Sequence, residues 1–121
     1  SKRNMTVTAA YSGTEAIQTL RKQDFDVAVL DLKLEDMDGI EILKIFKKLV
    51  PAMPVIMLTG HASVEVAREG MENGAFDYLM KPVDIDDLLY KIQDAFHKKT
   101  IQEAKIKTLN MMLKSESSPR E

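Results

Sequence analysis

The sequence predicts an α/β domain built on a parallel sheet, and three observations support this fold class. Short apolar or β-branched runs alternate with amphipathic stretches of about 10 to 15 residues, which is typical of βαβ units. The run at 27–32 is apolar at nearly every position, as expected of a strand covered on both faces by crossover helices, and the run at 55–60 is another buried strand. Polar residues stand at the carboxyl ends of these runs, where open parallel sheets bind their ligands.

The first predicted elements are a strand, a helix and a central strand. The strand covers about residues 5–10 and leads to Ser12, which forms a capping box with Glu15. The helix that follows is expected to end near Gln23. The run at 27–32 is then a strand buried in the middle of the sheet.

A second and a third helix follow in the same pattern. Asp38 caps the second helix, which is expected to stop before Pro51. The run at 55–60 is another buried strand. Ser63 is the predicted cap of the third helix, and Gly74 its predicted end. This helix is expected to run through Val64, Ala67 and Met71, which are apolar residues at helical spacing.

The final predicted helix is the longest. It follows a last strand at 75–80 and is capped by Asp84, and its apolar positions are Leu88, Leu89, Ile92, Ala95 and Phe96. Residues 97–114 contain neither glycine nor proline, so the helix is expected to continue through them. We therefore divide the chain into a sheet domain at 1–97 and a helical extension or linker with a frayed tail at 98–121.

Composition limits the classes of function. The 121 residues, 45% hydrophobic and 30% charged, suit a single domain with a real core. A net charge of -2 from mixed acids and bases offers no broad basic surface, so direct nucleic-acid binding is not expected. The apolar runs are far shorter than the roughly 20 residues that cross a bilayer, so no membrane association is expected. The chain has no cysteine, which fits a reducing compartment, and the cytoplasm is the expected location.

Three polar side chains are predicted to meet at the carboxyl edge of the sheet. Asp31, Thr59 and Lys81 follow three different strands and bring a carboxylate, a hydroxyl and an ammonium group to that edge. A carboxylate can accept a phosphoryl group as an acyl phosphate, and the other two groups can contact the added oxygens. Taken alone, Asp31 is more often a helix cap or turn residue, Thr59 the start of a loop, and Lys81 a solvated lysine at a turn. Their coincidence at three strand ends favours a functional site.

Three segments, VLDLKLEDMDG, PVIMLTGHAS and GAFDYLMKPVD, resemble the receiver domains of bacterial two-component response regulators, the CheY-like family. The resemblance covers about residues 4–96 and implies a flavodoxin-like, doubly wound parallel sheet with helices on both faces. It also implies a regulatory phosphoprotein of a phosphorelay, which is not an enzyme beyond accepting a phosphoryl group and hydrolysing it. The Lys81-Pro82 bond is expected to be cis, a geometry that X-Pro bonds adopt at low cost.

The resemblance implies a role for each site residue. Asp31 would be the phosphoacceptor for a sensor histidine kinase. Thr59 and Lys81 would contact the phosphoryl oxygens, and Tyr78 would be the aromatic switch that moves inward as Thr59 moves. Mg²⁺ would be held by Asp31, by the backbone carbonyl of Lys33 and by an acidic pair of the complete domain.

The sequence departs from the family pattern at two places. Its start resembles the end of the family's first helix, so the first strand with its acidic pair and the first helix are expected to be missing. Asp24 and Asp26 do not replace that pair, because they belong at the opposite edge of the sheet. The missing segment is expected to be truncated, disordered or supplied by another chain through strand exchange. Glu35 stands where the family usually has proline, which predicts only a looser loop.

Two other functions compete with phosphoacceptance. One is a receiver-like interaction module that works without phosphorylation, which the missing acidic pair favours. The other is an aspartate-nucleophile phosphatase of the haloacid-dehalogenase kind, which needs a second aspartate where this chain has Lys33. The expected partners are a sensor histidine kinase and an output domain or downstream protein. A homodimer is a further expectation, formed through the final helix and its extension or by strand exchange, although the apolar spacing of the extension argues against a strict heptad.

Overall fold

The computed structural model describes residues 12–32, 38–60 and 64–117. Within them, helices and strands alternate along the chain, as the sequence predicts. The elements are α1 (Gly13–Lys22), β1 (Ala28–Asp31), α2 (Gly39–Leu49), β2 (Val55–Thr59), α3 (Val64–Glu72), β3 (Asp77–Met80) and α4 (Ile85–Ser117). The expectations for the strand at 5–10, Lys33, Glu35, the cap at Ser63 and the tail beyond 117 lie outside the described residues.

Polar caps fix the starts of three helices. Ser12 Oγ accepts a hydrogen bond from the backbone N–H of Glu15 at 3.1 Å. Asp38 Oδ1 accepts one from the N–H of Ile40 at 3.4 Å, and Asp84 Oδ1 accepts one at 2.8 Å from the N–H two residues on. Each cap satisfies a backbone donor that the first helical turn leaves without a partner, so these predicted helix starts are confirmed.

The described strands form one parallel sheet in the order β1-β2-β3. In this sheet Leu30 lies beside Met57, and Met57 lies beside Tyr78. Side chains of neighbouring residues in register point the same way, so these three form one row on one face of the sheet. Ile56 and its neighbour Asp77 belong to the other face.

Helices cover both faces of the sheet. The first face carries the main core, in which α2 packs on the strands; its buried residues include Leu30, Ile40, Leu43, Phe46, Val55 and Met57. On the second face, Lys91 of α4 bonds to Asp77 at 2.6 Å, and Ala95 of α4 is fully buried. The predicted doubly wound arrangement is therefore confirmed for the described residues.

Three details of packing differ from the sequence pattern. The strand at 27–32, predicted to be buried in the middle of the sheet, is an outer strand of the described sheet, and its Val29 is 40% exposed. In α3 the buried residues are Ala67 and Gly70, whereas Val64 and Met71 are exposed. Leu89 of α4 is also exposed. The reason is that α3 approaches the sheet through the small residues Ala67 and Gly70, so its buried stripe is displaced from the stripe that its large apolar residues form.

The long final helix continues well past the body of the domain. α4 has 33 residues, and the described side chains from Ile101 onward are all exposed. The expected continuation of the helix is thus observed, while the division of the chain at 97 and 98 stays a prediction. None of the helices in the described part of the chain is long and apolar enough to cross a membrane.

Candidate functional site

The carboxyl edge of the sheet carries a direct contact between its two outer strands. Asp31 is the last residue of β1, and Lys81 immediately follows β3. Lys81 Nζ donates a hydrogen bond to Asp31 Oδ2 at 2.7 Å. The side chains are 35% exposed for Lys81 and 39% for Asp31, so the carboxylate is accessible from solvent. The predicted convergence of these two strand ends is therefore present in the structure.

Thr59 ends β2, the strand between them. Its carbonyl oxygen accepts a hydrogen bond from the N–H of Lys81 at 2.8 Å, which joins the two residues through the backbone. Thr59 is 4% exposed and is the only polar residue among the described ones that is classed as buried. Because burying a hydroxyl costs free energy, such a residue at a strand end suits a functional role better than a role as a loop start.

Tyr78 occupies the edge strand β3 and is 39% exposed. Its neighbour in β2 is Met57, so its side chain belongs to the sheet face on which α3 packs through the contact of Gly70 with Met57. Thr59 lies two residues beyond Met57 and shares that face. Tyr78 is therefore partly exposed beside the strand that carries Thr59.

A glycine allows α2 to begin close to Asp31. A Cβ atom at Gly39 would lie 2.6 Å from Leu32 Cδ2 and 2.7 Å from Leu32 Cα, distances that real Cβ atoms do not show. Leu32 directly follows Asp31, so Gly39 permits the start of α2 to pack closely against the chain beyond Asp31. The Asp-Gly pair marks a helix start in the sequence, but the sequence does not show which residue this glycine must approach.

An ion pair links α4 to the strand that holds Tyr78. Lys91 Nζ lies 2.6 Å from Asp77 Oδ2, and the hydrogen bond to Asp77 raises the pKa of Lys91 above 10.5. Asp77 Oδ1 accepts a hydrogen bond from the N–H of Tyr78 at 2.8 Å. This carboxylate thus connects the helix to the backbone of the proposed switch residue. Sequence reasoning missed the pair, because residues 14 apart leave no local pattern.

A lysine fixes the turn that leads into β2. Lys47 Nζ donates to the carbonyl oxygens of Pro51 at 2.9 Å and Met53 at 3.1 Å. Burial lowers the pKa of Lys47 below 10.5, since the charged form loses water. These two hydrogen bonds join the end of α2 to the segment before β2, the strand that ends at Thr59. The sequence analysis did not predict them, because nothing in the sequence distinguishes Lys47 from a solvated lysine on a helix.

The described residues do not by themselves form a magnesium site. No group of three or more His, Asp or Glu side chains that could share a metal ion is found in residues 12–32, 38–60 and 64–117. Mg²⁺ requires near-octahedral oxygen coordination, which Asp31 alone does not supply. Lys33, whose carbonyl was a predicted ligand, lies outside the described residues. The Lys81-Pro82 bond is cis, as the family resemblance implied.

A family comparison agrees with the fold and the edge geometry. The model for the response regulator receiver domain matches residues 1–93, which is most of the chain. This chain belongs to the receiver domain family of two-component response regulators. Receiver domains are regulatory, and phosphoaspartate and magnesium are general features of the family.

Curated relatives are longer proteins with the same kind of domain. The transcriptional regulatory protein ZraR of Escherichia coli is 44% identical over 89 residues, which are 74% of this chain and 20% of that protein. The DNA-binding transcriptional regulator NtrC of Proteus hauseri is 37% identical over 95 residues, 78% of this chain and 20% of that protein. This chain therefore spans about a fifth of the length of these relatives.

Solved receiver domains have the same fold. The CheY-like response regulator receiver domain protein of Methanospirillum hungatei superposes with a TM-score of 0.72 at 37% identity, covering 75% of this chain and 73% of that one. The receiver domain protein of Clostridium thermocellum gives a TM-score of 0.73 at 38% identity, covering 77% and 75%. The predicted flavodoxin-like, CheY-like fold is thereby confirmed. The prediction that a first strand and helix are missing stays a prediction.

Proposed function

We propose that this chain is a phosphorylation-controlled receiver whose Asp31 accepts a phosphoryl group from a sensor histidine kinase. The observation that supports the proposal most directly is the 2.7 Å contact between Lys81 and Asp31 at the carboxyl edge of the sheet. The ammonium group orients the carboxylate and offers a counter-charge to a phosphoryl group added there. Thr59, at the end of the strand between them, supplies a hydroxyl at the same edge.

The transfer step uses groups that this edge provides. A carboxylate oxygen of Asp31 attacks the phosphorus of a phosphohistidine, and the bond from phosphorus to the imidazole nitrogen breaks as the acyl phosphate forms. The product carries a charge of about -1.5 to -2 on the phosphoryl group. Lys81 then moves its hydrogen bond from the carboxylate to a phosphoryl oxygen, and later hydrolysis by water returns Asp31 to its starting state.

The signal leaves the site through Thr59 and Tyr78. The Thr59 hydroxyl donates a hydrogen bond to the phosphoryl group, which draws the side chain toward Asp31 and vacates space on the α3 side of the sheet. Tyr78, now 39% exposed on that face, turns into the space. The changed surface consists of α3, β3 and the start of α4.

Magnesium enters the proposal through the family, whose receiver domains generally bind it in an acidic pocket. For this chain we propose Asp31 and the Lys33 backbone carbonyl as two of its ligands. The bound ion would neutralise charge on the phosphoryl oxygens. Further oxygen ligands must come from beyond the described residues, because Asp31 alone does not complete the coordination shell.

A small acyl phosphate with magnesium tests the acceptor role on the intact protein, in which the remaining oxygen ligands of the ion are expected to be present. We expect a mass increase of one phosphoryl group in the unsubstituted protein and none in Asp31→Asn. Asp86→Asn, an exposed carboxylate on α4, is the matched control and should remain competent. An unchanged mass in all three, or an increase in Asp31→Asn, would exclude Asp31 as the acceptor.

A second candidate function is a receiver-like interaction module that works without phosphorylation. It is favoured by the single carboxylate that the described residues place beside Lys81. Such a module would bind its partner equally well as the unsubstituted chain and as Asp31→Asn, with and without the phosphodonor. A phosphorylation-dependent change in partner binding, lost in Asp31→Asn, would decide for the first proposal.

The relatives suggest what the domain controls. ZraR and NtrC are transcriptional regulators, and only about a fifth of each corresponds to this chain. We propose that the receiver regulates an output domain or a downstream protein, and that it does not itself contact nucleic acid. A cytoplasmic location remains a prediction from the cysteine-free composition.

A homodimer through the extension of α4 is the remaining partner proposal. The stripe Leu88, Ile92, Ala95 and Lys99 lies at alternating spacings of four and three and includes the buried face of α4. On the exposed part of the helix the apolar residues are Ile101, Ile106, Leu109 and Leu113, whose spacings of five, three and four do not form a strict heptad. A second copy would cover Ile106, Leu109 and Leu113, which lie on one side of the extension.

Charge gives this dimer a distinctive salt response. Residues 97–114 contain five lysines and one glutamate, so two copies side by side repel each other. Light scattering should therefore give a larger mass at high salt than at low salt, because ions screen the repulsion. Leu109→Gln should abolish the increase, whereas Met111→Gln, on the opposite side of the helix, should retain it. A monomer mass under every condition, or equal behaviour of both variants, would reject this interface.

A further inference from the structure

A methionine and a glycine make an unusually close contact beneath α3. Met57 is fully buried in the middle of β2, and Gly70 is buried on the inward side of α3. A Cβ atom added at Gly70 would overlap the Sδ and Cε atoms of Met57, while the Cδ1 atom of Ile40 would lie 3.7 Å away. The close approach of α3 to β2 therefore depends on the lack of a side chain at Gly70 and on the space that the Met57 thioether occupies.

This contact lies next to the residues of the proposed switch. Met57 stands in one row with Leu30 and Tyr78, and neighbouring strands are about 4.8 Å apart. Thr59 is two residues further along β2 on the same face. Space vacated by Thr59 and entered by Tyr78 must therefore border the Met57 thioether and the part of α3 that contains Gly70.

We propose that Met57 and Gly70 are a positioning pair that sets the room for the inward orientation of Tyr78. The inference rests on the proposed switch, but not on the acceptor chemistry of Asp31. Protein interiors are close-packed, so a volume change of one methyl group beside Tyr78 alters the free energy of the inward state directly. Two states that differ by only a few kcal/mol respond to such a change with a measurable shift in population.

The two single substitutions should act in opposite directions. Met57→Val removes volume beside Tyr78 and should increase the inward population about fivefold. Gly70→Ala adds a methyl group that pushes the thioether toward Tyr78, so the inward population should fall by a similar factor. In the double variant the methyl group added at position 70 fills the volume removed at position 57. The population of the inward Tyr78 orientation should therefore be close to that of the unsubstituted chain. A purely structural contact would give two losses of stability and no opposite effects on Tyr78.

Met53→Val is the matched control. Met53 is as fully buried as Met57 but belongs to the turn before β2. Its substitution removes the same atoms from the core and should lower stability without moving Tyr78. Melting curves of all variants establish which are folded at the temperature of the measurement, and either single variant alone is sufficient to show the direction of its effect.

The readout is the environment of the Tyr78 ring, followed by NMR in the chain without a phosphoryl group. Affinity for beryllium trifluoride, an analogue of that group, is measured alongside with magnesium. Opposite Tyr78 shifts in the single variants, with recovery in the double variant, establish the positioning pair even if the analogue does not bind, in which case the acceptor proposal fails alone. Equal Tyr78 signals in Met57→Val and Met53→Val, or no recovery in the double variant, overturn the inference.

Discussion

Lys81 and Asp31 are in direct contact although their strands are not neighbours. The ammonium nitrogen of Lys81 lies 2.7 Å from a carboxylate oxygen of Asp31, and β2 runs between β1 and β3. The lysine side chain therefore bridges two strand spacings, about 9.6 Å in a regular sheet. A change in the charge or size of the Asp31 side chain therefore acts directly on Lys81, which follows β3 where the chain turns toward α4.

Replacing Lys81 should separate binding at the site from stability. Lys81→Met removes the ammonium group but keeps most of the stem, so the free energy of unfolding should fall by no more than about 1 kcal/mol for so exposed a pair. The affinity for beryllium trifluoride should fall about 10- to 100-fold, because a charge-assisted hydrogen bond is lost. Titration followed by NMR measures the affinity. Lys44→Met, an exposed lysine of α2, is the control, and an affinity equal to that of the control would contradict the role given to Lys81.

Thr59 should be needed for transmission of the signal rather than for acceptance. Thr59→Val keeps a branched side chain of similar shape but lacks the hydroxyl that would contact the phosphoryl group. Asp31 should still take up the phosphoryl group in this variant, while the NMR signal of the Tyr78 ring should no longer respond to it. Thr59→Ser retains a hydroxyl and should retain the response. A normal Tyr78 response in Thr59→Val would rule out the proposed coupling.

Local signals in the sequence were sufficient to predict most of the fold. The caps at Ser12, Asp38 and Asp84 depend on contacts within a few residues, so their side-chain types mark the helix starts. The apolar run of β2 identified a strand buried on both faces. The meeting of Asp31 with Lys81 followed from a topological rule, because parallel strands bring their carboxyl ends to one edge.

Contacts that depend on tertiary packing could not be predicted in the same way. The inward side of α3 is formed by Ala67 and Gly70, whose small side chains give no strong hydrophobic pattern. The pairing of Lys91 with Asp77 requires α4 to lie across the sheet, which no spacing in the sequence specifies. These contacts decide how the helices sit around Tyr78, so the structure adds most to the part of the site that would transmit the signal.

Gly74 should be sensitive to any side chain. It follows α3 with φ at 102°, a conformation that residues with a Cβ atom adopt only with strain. Gly74→Ala should therefore lower the free energy of unfolding by about 1 to 2 kcal/mol. Glu72→Ala, an exposed substitution in the last turn of α3, should change it by less than about 0.5 kcal/mol. Urea denaturation distinguishes these values, and equal midpoints for the two variants would be inconsistent with strain at this position.

The ion pair between Lys91 and Asp77 should make a pH-dependent contribution to stability. The hydrogen bond to Asp77 raises the pKa of Lys91 in the folded chain above 10.5, so folding is favoured by the protonated amine. The contribution is fully present below the unfolded pKa and is lost as the pH rises through the folded pKa. Lys91→Met should therefore cost about 0.5 to 1 kcal/mol near neutral pH, as expected for a partly exposed pair.

The measurement is the difference in unfolding free energy between the unsubstituted chain and Lys91→Met as a function of pH. The difference should stay constant up to about pH 10 and shrink above it. Lys47, whose lowered pKa acts with the opposite sign, is present in both proteins and cancels in the difference. Lys48→Met, an exposed lysine with no pair to lose among the described contacts, should give a flat difference. A difference for Lys91→Met that persists unchanged well above pH 10.5 would show that packing of the lysine stem, rather than its charge, holds α4 against β3.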